Sequence, residues 1–175
     1  MEFYQIVRTR RSIRKYKPDP IPKETLNRIL EAVRIAPSGS NRQPWKFILI
    51  TDVALKRKLA TACHNQKFIA EAPIAIVALA QKLQINRGGY MGEMSTLMDT
   101  TIAFTHLILA ARAEAVGTCW IGAFDNDEIK KLLNIPDEYY VVAITPLGYP
   151  ANGEKAFTEP VDRKSLKEIL TENEF

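Results

Sequence analysis

From Ser95 to about Val116 the side chains are apolar nearly all the way round a helix, with Leu97, Met98, Ile102, Phe104, Leu107, Ile108 and Leu109 leaving little polar face. Such a helix belongs in a core or an interface, and the rest of the chain must be arranged around it. Gly117 stands where a left-handed residue would close it. Asp99 within it is costly if buried without a partner, and a cap or salt bridge to the N-terminal arginines suits it as well as a catalytic role. A chain of 175 residues is long enough to build a core around this helix in a single domain, residues 1–175. The runs Ile74 to Ala80 and Ile102 to Ala111 read as too short or too interrupted to cross a bilayer.

Leu26, Ile29, Leu30 and Val33 recur at i, i+3, i+4 and i+7, which predicts an amphipathic helix from about Lys23 to Ala36, opened by Pro22 and stopped by Pro37. Phe47 to Thr51 reads as a strand buried on both faces, followed by a helix that turns Leu55, Leu59 and Ala62 inward. Ile74 to Ala80 is a second strand and Tyr139 to Leu147 a third. Pro146 lacks a ladder donor, so an edge position or a local irregularity is expected there. Asp125 and Glu128 have capping-box spacing ahead of Ile129, Leu132 and Leu133. Strands separated by helices indicate a mixed α+β or α/β layered fold.

Composition is that of an ordinary globular protein, 46% hydrophobic and 25% charged. The net charge of +4 is largely explained by the stretch from Arg8 to Lys17, which reads as a local anion site; no nucleic-acid-binding motif accompanies it. Cys63 and Cys119 lie far apart, with no C-x-x-C and no histidine at ligand spacing, which argues against a disulfide framework or a metal site and for a reducing cytoplasm. The opening residues Met1 to Gln5 lack the order of a signal peptide. His64 and His106 read as ordinary surface and core histidines, and Cys119 as a small buried residue.

Two short segments carry chemistry. Arg10-Arg11-Ser12-Ile13-Arg14 places three guanidinium groups and a hydroxyl within five residues, enough to clamp a phosphate and leave one cation for a second anionic site. Pro37-Ser38-Gly39-Ser40-Asn41-Arg42-Gln43-Pro44-Trp45 is a stiff, polar, turn-forming loop; read alone it could be a helix stop with Trp45 as a buried anchor. Together they suggest a site for a phosphorylated cofactor.

In order and spacing the two segments resemble those of the FMN-dependent nitroreductase family. The resemblance extends through Asn65-Gln66, Asp99, Gly117-Thr118-Cys119-Trp120-Ile121-Gly122 and Leu147-Gly148-Tyr149, and so covers most of the chain. It implies an antiparallel-rich sheet flanked by helices, in an intertwined homodimer with FMN in each of two interface pockets. It places Arg10 and Ser12, with Arg11 alongside, on the FMN phosphate, and Arg14 near the flavin N1 and C2 oxygen, where negative charge gathers on reduction. The stretch Trp120-Ile121-Gly122-Ala123 would pass the flavin N5, with Gly122 allowing close approach, and Asn65 would meet the pyrimidine edge unless it merely ends a helix. Pro37, Ser38, Gly39 and Asn41 would reach the same flavin from the opposite subunit. Arg163 matches a second phosphate-binding position; because Val161 stands where some relatives carry lysine, Lys164 is an alternative.

The activity implied is transfer of electrons from NADH or NADPH to a small planar acceptor such as a nitroaromatic, quinone or activated alkene. No G-x-G-x-x-G follows a strand, so the donor has no dinucleotide fold of its own and would share the acceptor's pocket in a ping-pong cycle. Residues 81–94, centred on Arg87 to Gly92, are expected to form a mobile wall of that pocket. The alternatives are other flavin chemistry on the same fold, such as dehalogenation or flavin fragmentation, and a protein that stores FMN without turnover.

Overall fold

A computed structural model describes residues 1–85 and 89–175. Helix α1 (Phe3–Thr9) leads through an extended segment to α2 (Lys23–Arg34), strand β1 (Trp45–Ile50), α3 (Val53–Ala62), the short α4 (Phe68–Glu71) and β2 (Ile74–Gln81). The long α5 (Gly89–Ala113), β3 (Gly117–Thr118), α6 (Asn126–Leu132), β4 (Tyr139–Gly148) and the short α7 (Leu166–Ile169) follow. The strands form one sheet in the order β1-β2-β4-β3, antiparallel at every pairing.

Strand β2 sits inside the sheet, and its period of two sorts the core into two layers. Ile74, Ile76 and Ala78 face one cluster with Ile29 and Val33 of α2 and Phe104, Leu107 and Ala111 of α5. Ala75, Val77 and Leu79 face the other, with Leu59 and Ala62 of α3 and Ile129 of α6. The sheet is thus a filling between helical layers, as the alternation of strands and helices predicts.

Several boundaries differ from the sequence reading. β1 is an edge strand, so it is not buried on both faces: Lys46 and Leu49 are exposed. α5 starts at Gly89, so the second half of the segment expected as a pocket wall is helix, while residues 86–88 of that expectation lie outside the described residues. Within α5, Met94–Ala113 is long and apolar enough by composition to cross a membrane, contrary to the sequence estimate. Half of that stretch is buried within the protein, much of it against α2 and the sheet, as suits a core helix. Its left-handed closing residue is Ala115 (φ 57°), not Gly117, which is already in β3. Gly117 is required for a different reason: a Cβ there would lie 2.9 Å from the Ile13 side chain. Asp125 does cap α6, its carboxylate accepting from Glu128 N–H at 2.9 Å.

Pro146 lies in an interior strand, not at an edge, and the irregularity it causes is on the β3 side. The pairing runs Gly117 to Gly148 and Thr118 to Leu147, and resumes in the same register as a bridge between Ile121 and Ile144. Between them the ladder is open where Pro146 has no N–H to give. Cys119 N–H instead donates to the hydroxyl of buried Thr145, at 3.1 Å. Trp120 is left 40% exposed, its ring edge-on to Phe104 at 4.6 Å.

Candidate functional site

The opened ladder is where the N-terminal arginine segment docks. Ile13 N–H donates to Thr118 O at 2.8 Å, Ser12 bridges Thr118 in parallel, and Ile13 is buried against the bare face of Gly117. The segment therefore lies along β3 as an added edge, and Tyr16 anchors its far end through a hydroxyl that donates to Ile13 O. Arg10 and Arg11 are half-buried, Ser12 and Arg14 exposed.

The charged side chains that act on Arg10 here, Arg11 and Arg163, share its sign. Burial draws the Arg10 guanidinium below its ordinary range, and the neighbouring positive charges of Arg11 and then Arg163 push it further down. Arg11 donates from Nε to Thr158 Oγ1 at 3.2 Å and from Nη1 to Arg10 O at 3.0 Å, while its buried Nη2 has no partner among the described residues. No ion pair to a described residue neutralises Arg10, Arg11, Arg14 or Arg163, whereas Arg28 is held by Glu114 and Arg34 by Glu31. Arg163 is exposed, and it rather than Lys164 bears on Arg10.

The Cys119 thiol sits among Ser12, Arg14 and Arg10; burial raises it, and those groups oppose the rise. Cys63 is fully buried and pushed up to about 12, first by burial and then by Glu128. Both thiols are therefore expected to stay silent toward a disulfide reagent in the native protein, and two equivalents to react on denaturation. Rapid native reaction of either would contradict this burial.

Arg112, in the last turn of α5, escaped the sequence reading although a cation in so apolar a helix was a signal. Its side chain is 4% exposed; it donates to Thr9 Oγ1 at 2.9 Å, pairs with Glu154 at 3.5 Å and lies over the Phe157 ring at 4.0 Å. It thereby fixes the end of α1, immediately before Arg10, against the segment that carries Thr158.

The second motif forms a strained loop after α2. Ser40, Asn41 and Gln43 have φ of 54°, 53° and 51°, a left-handed conformation that costs non-glycine residues on the order of 1 kcal/mol each. Ser38 Oγ accepts from Gln43 N–H at 2.9 Å, the Gln43 amide donates to Asn41 O at 3.0 Å, and Gly39 N–H donates to Asp99 Oδ1 at 3.0 Å. Asp99 thus serves this loop and not the N-terminal arginines. Its Oδ2 and the Thr96 hydroxyl one turn away are buried without partners among the described residues. Pro37 and Asn41 are exposed, Ser38 and Gly39 half-buried.

The remaining candidates fall near the open ladder or beside it. Both backbone groups of Ile121 are taken by Ile144, at 2.9 and 3.0 Å, which leaves Gly122 and Ala123 as the exposed backbone of that stretch. A Cβ on Gly122 would meet nothing closer than Trp120 Nε1 at 3.7 Å, so packing within this chain does not demand glycine there. Asn65 follows α3 in a left-handed conformation (φ 60°), as a helix-ending residue does, with its side chain exposed. Among the described residues no three His, Cys, Asp or Glu side chains converge as metal ligands.

Fold and site together define an α+β protein that concentrates cations at a broken sheet edge. The chain belongs to the nitroreductase family, whose sequence model matches residues 7–82 and 61–149, and it is an oxidoreductase of that kind. It is 34% identical over 166 residues to a protein of Archaeoglobus fulgidus provisionally named NADH dehydrogenase/NAD(P)H nitroreductase, covering 93% of this chain and 92% of that one. Among solved structures, a nitroreductase family protein from Clostridium novyi NT matches with a TM-score of 0.81 and 39% identity over 87% of each chain. A more distant relative is the iodotyrosine deiodinase of Thermotoga neapolitana, 26% identical over 84% of this chain and 88% of that protein.

Proposed function

We infer that this chain is an FMN-dependent enzyme that draws on NADH or NADPH to reduce a small planar acceptor, a nitroaromatic, quinone or activated alkene. The observation that carries the reading is the convergence of Arg10, Arg11 and Arg163, with no carboxylate among the described residues to neutralise them. Like charges held together and partly desolvated are unfavourable unless an anion joins them, and a phosphate monoester supplies the charge and the acceptors that guanidinium forks match. Ser12 adds a hydroxyl to that cradle.

Bound there, FMN would supply the two-electron chemistry, and the protein's part is to hold and tune it. Gly122 offers open backbone for the ring, and Arg14 a cation for the charge that reduction creates. Asn65 offers an amide that can both donate and accept.

A second copy of the chain completes the site in this reading. Asp99, which accepts from Gly39 in the Ser38–Asn41 loop, and Arg112, which holds Thr9 just before Arg10, are thirteen residues apart in α5, which at 1.5 Å rise per residue is about 20 Å. Within one chain the two motifs are thus tied to well-separated points of one helix, and a homodimer would bring each loop to the other's cations. Along α5, Met91, Met94, Met98 and Ile102 are 37–45% exposed, and beyond β4 Leu166, Ile169 and Leu170 are 60–70% exposed. These apolar surfaces suit an interface.

The test is anaerobic. Purified protein should carry an oxidised-flavin spectrum that NADH or NADPH bleaches and an added nitroaromatic or quinone restores. A colourless preparation that cannot be reconstituted with FMN would end the proposal, and a flavin that neither donor bleaches would favour storage. Likeness to a deiodinase keeps dehalogenation as the second reading; product analysis with a halophenol against a nitroaromatic separates the two, and intact FMN after many turnovers counts against flavin fragmentation. Arg14→Gln is expected to lower the midpoint potential by tens of millivolts, since about 30 mV corresponds to 1.4 kcal/mol for a two-electron couple. An unchanged potential in spectroelectrochemistry with FMN still bound would remove Arg14 from that role.

A further inference from the structure

Between α3 and α4 lies a groove of about 290 Å³ lined by Arg57, Ala60, Thr61, Asn65, Lys67 and Ala70. Around a largely apolar floor its polar groups are a guanidinium, an ammonium, a hydroxyl and an amide, with no carboxylate in the lining. Arg57 and Thr61 are one turn apart on α3, and Lys67 immediately precedes α4. Ala60 and Ala70 add no bulk that would fill the space between them. Arg28 is held by Glu114 and Arg34 by Glu31, whereas neither Arg57 nor Lys67 makes an ion pair with a described residue. Asn65, turned outward by its left-handed backbone, belongs to this groove.

The groove adjoins the candidate site. Gln66, between Asn65 and Lys67, directs its amide to Cys63 O at 3.0 Å and Ala123 O at 3.4 Å, so the segment bearing the groove is fastened to the Trp120–Ala123 stretch. A dinucleotide whose nicotinamide reaches that stretch must leave its phosphates and adenosine farther out, and no G-x-G-x-x-G follows a strand to receive them.

We propose that this groove receives a phosphate of the nicotinamide dinucleotide donor, with Arg57 and Lys67 as its ligands. The inference rests on the donor assignment above and makes the groove the determinant of donor affinity. Whether the phosphate is the 2′-phosphate of NADPH or the pyrophosphate common to both donors is decided by the ligand used.

Binding of adenosine 2′,5′-bisphosphate and of ADP to the flavin-loaded protein is measured by calorimetry, for the parent and for Arg57→Ala and Lys67→Ala. Each substitution removes one charge-assisted contact, worth roughly tenfold or more in dissociation constant. Weakening confined to the 2′,5′-bisphosphate supports the proposal and assigns the 2′-phosphate. Equal weakening of both ligands supports it and assigns the pyrophosphate. Unchanged affinity for both, or absence of binding by the parent, overturns it. Loss of FMN from the variants, read from the flavin spectrum, also overturns it by making the groove part of the flavin site. Because neither ligand is reduced or oxidised, failure here is distinct from failure of the proposed activity, which the anaerobic bleaching reads. Donor kinetics supply a second readout: the groove variants should raise KM for the affected donor with little change in kcat.

Discussion

Arg10→Ala is expected to weaken FMN binding by about one to two decades, with much smaller effects on turnover in molecules that remain loaded. A charge-assisted contact is worth roughly 1.5–3 kcal/mol, and here the partner is a cation already pressed by Arg11 and Arg163. Fluorescence titration measures the loss; equal affinity in mutant and parent would take Arg10 out of the phosphate site. The same substitution also tests assembly. When Arg10→Ala and Asn41→Ala chains are exchanged into mixed dimers, pockets shared between subunits put both lesions in one pocket and leave the other intact. About half the sites in verified mixed dimers should then regain parental affinity. No recovery would mean that each pocket draws both motifs from one chain. Sharing would also link FMN binding to dimer stability, because a ligand that prefers the dimer shifts the equilibrium toward it.

Phe104→Ala should produce the largest loss of stability, about 3–5 kcal/mol, seen as a fall in Tm of roughly 6–20 °C for a chain of this size. Phe104 has no exposed surface; it stacks at 6.5 Å on Phe47 of β1 and meets Trp120 edge-on at 4.6 Å. Removing it opens a cavity between α5 and the sheet and takes the support from beneath the open ladder. Thermal melts of the flavin-loaded protein measure the first effect, and a shift in tryptophan emission reports the second. Phe104→Leu refills much of the volume and should lose considerably less. A Phe104→Ala protein as stable as the parent would mean that the core collapses around the site.

The long helix, the two-layered core and the sheet's interior strands were legible because each is written in periodicity that only burial explains. Leu26, Ile29, Leu30 and Val33 mark one face of α2, and the uninterrupted apolar run of β2 marks a strand covered on both sides. Arg10, Arg11, Ser12 and the Pro37–Trp45 loop drew attention only as a pair in order and spacing, since each segment alone also reads as a solvated face or a helix stop. Where a short-range rule was pressed into a long-range question it failed. Gly117 looks like a helix terminator but is small because Ile13, more than a hundred residues earlier, packs on it. Strand position likewise depends on neighbours: β1 is apolar, yet lies at an edge.

By itself, then, the sequence determined most of the helices and strands, where cations concentrate and which segment turns, all of them properties of neighbouring residues along the chain. Only the tertiary structure decided what those segments meet. It brought Arg163 to Arg10, gave Asp99 to Gly39 and set Arg112 under the end of α1. It also set Pro146 at a gap in a ladder whose other strand lies far away in sequence, with Trp120 exposed beside it. Such pairings are set by how the layers pack, and packing depends on the summed fit of many side chains, which the local pattern does not encode.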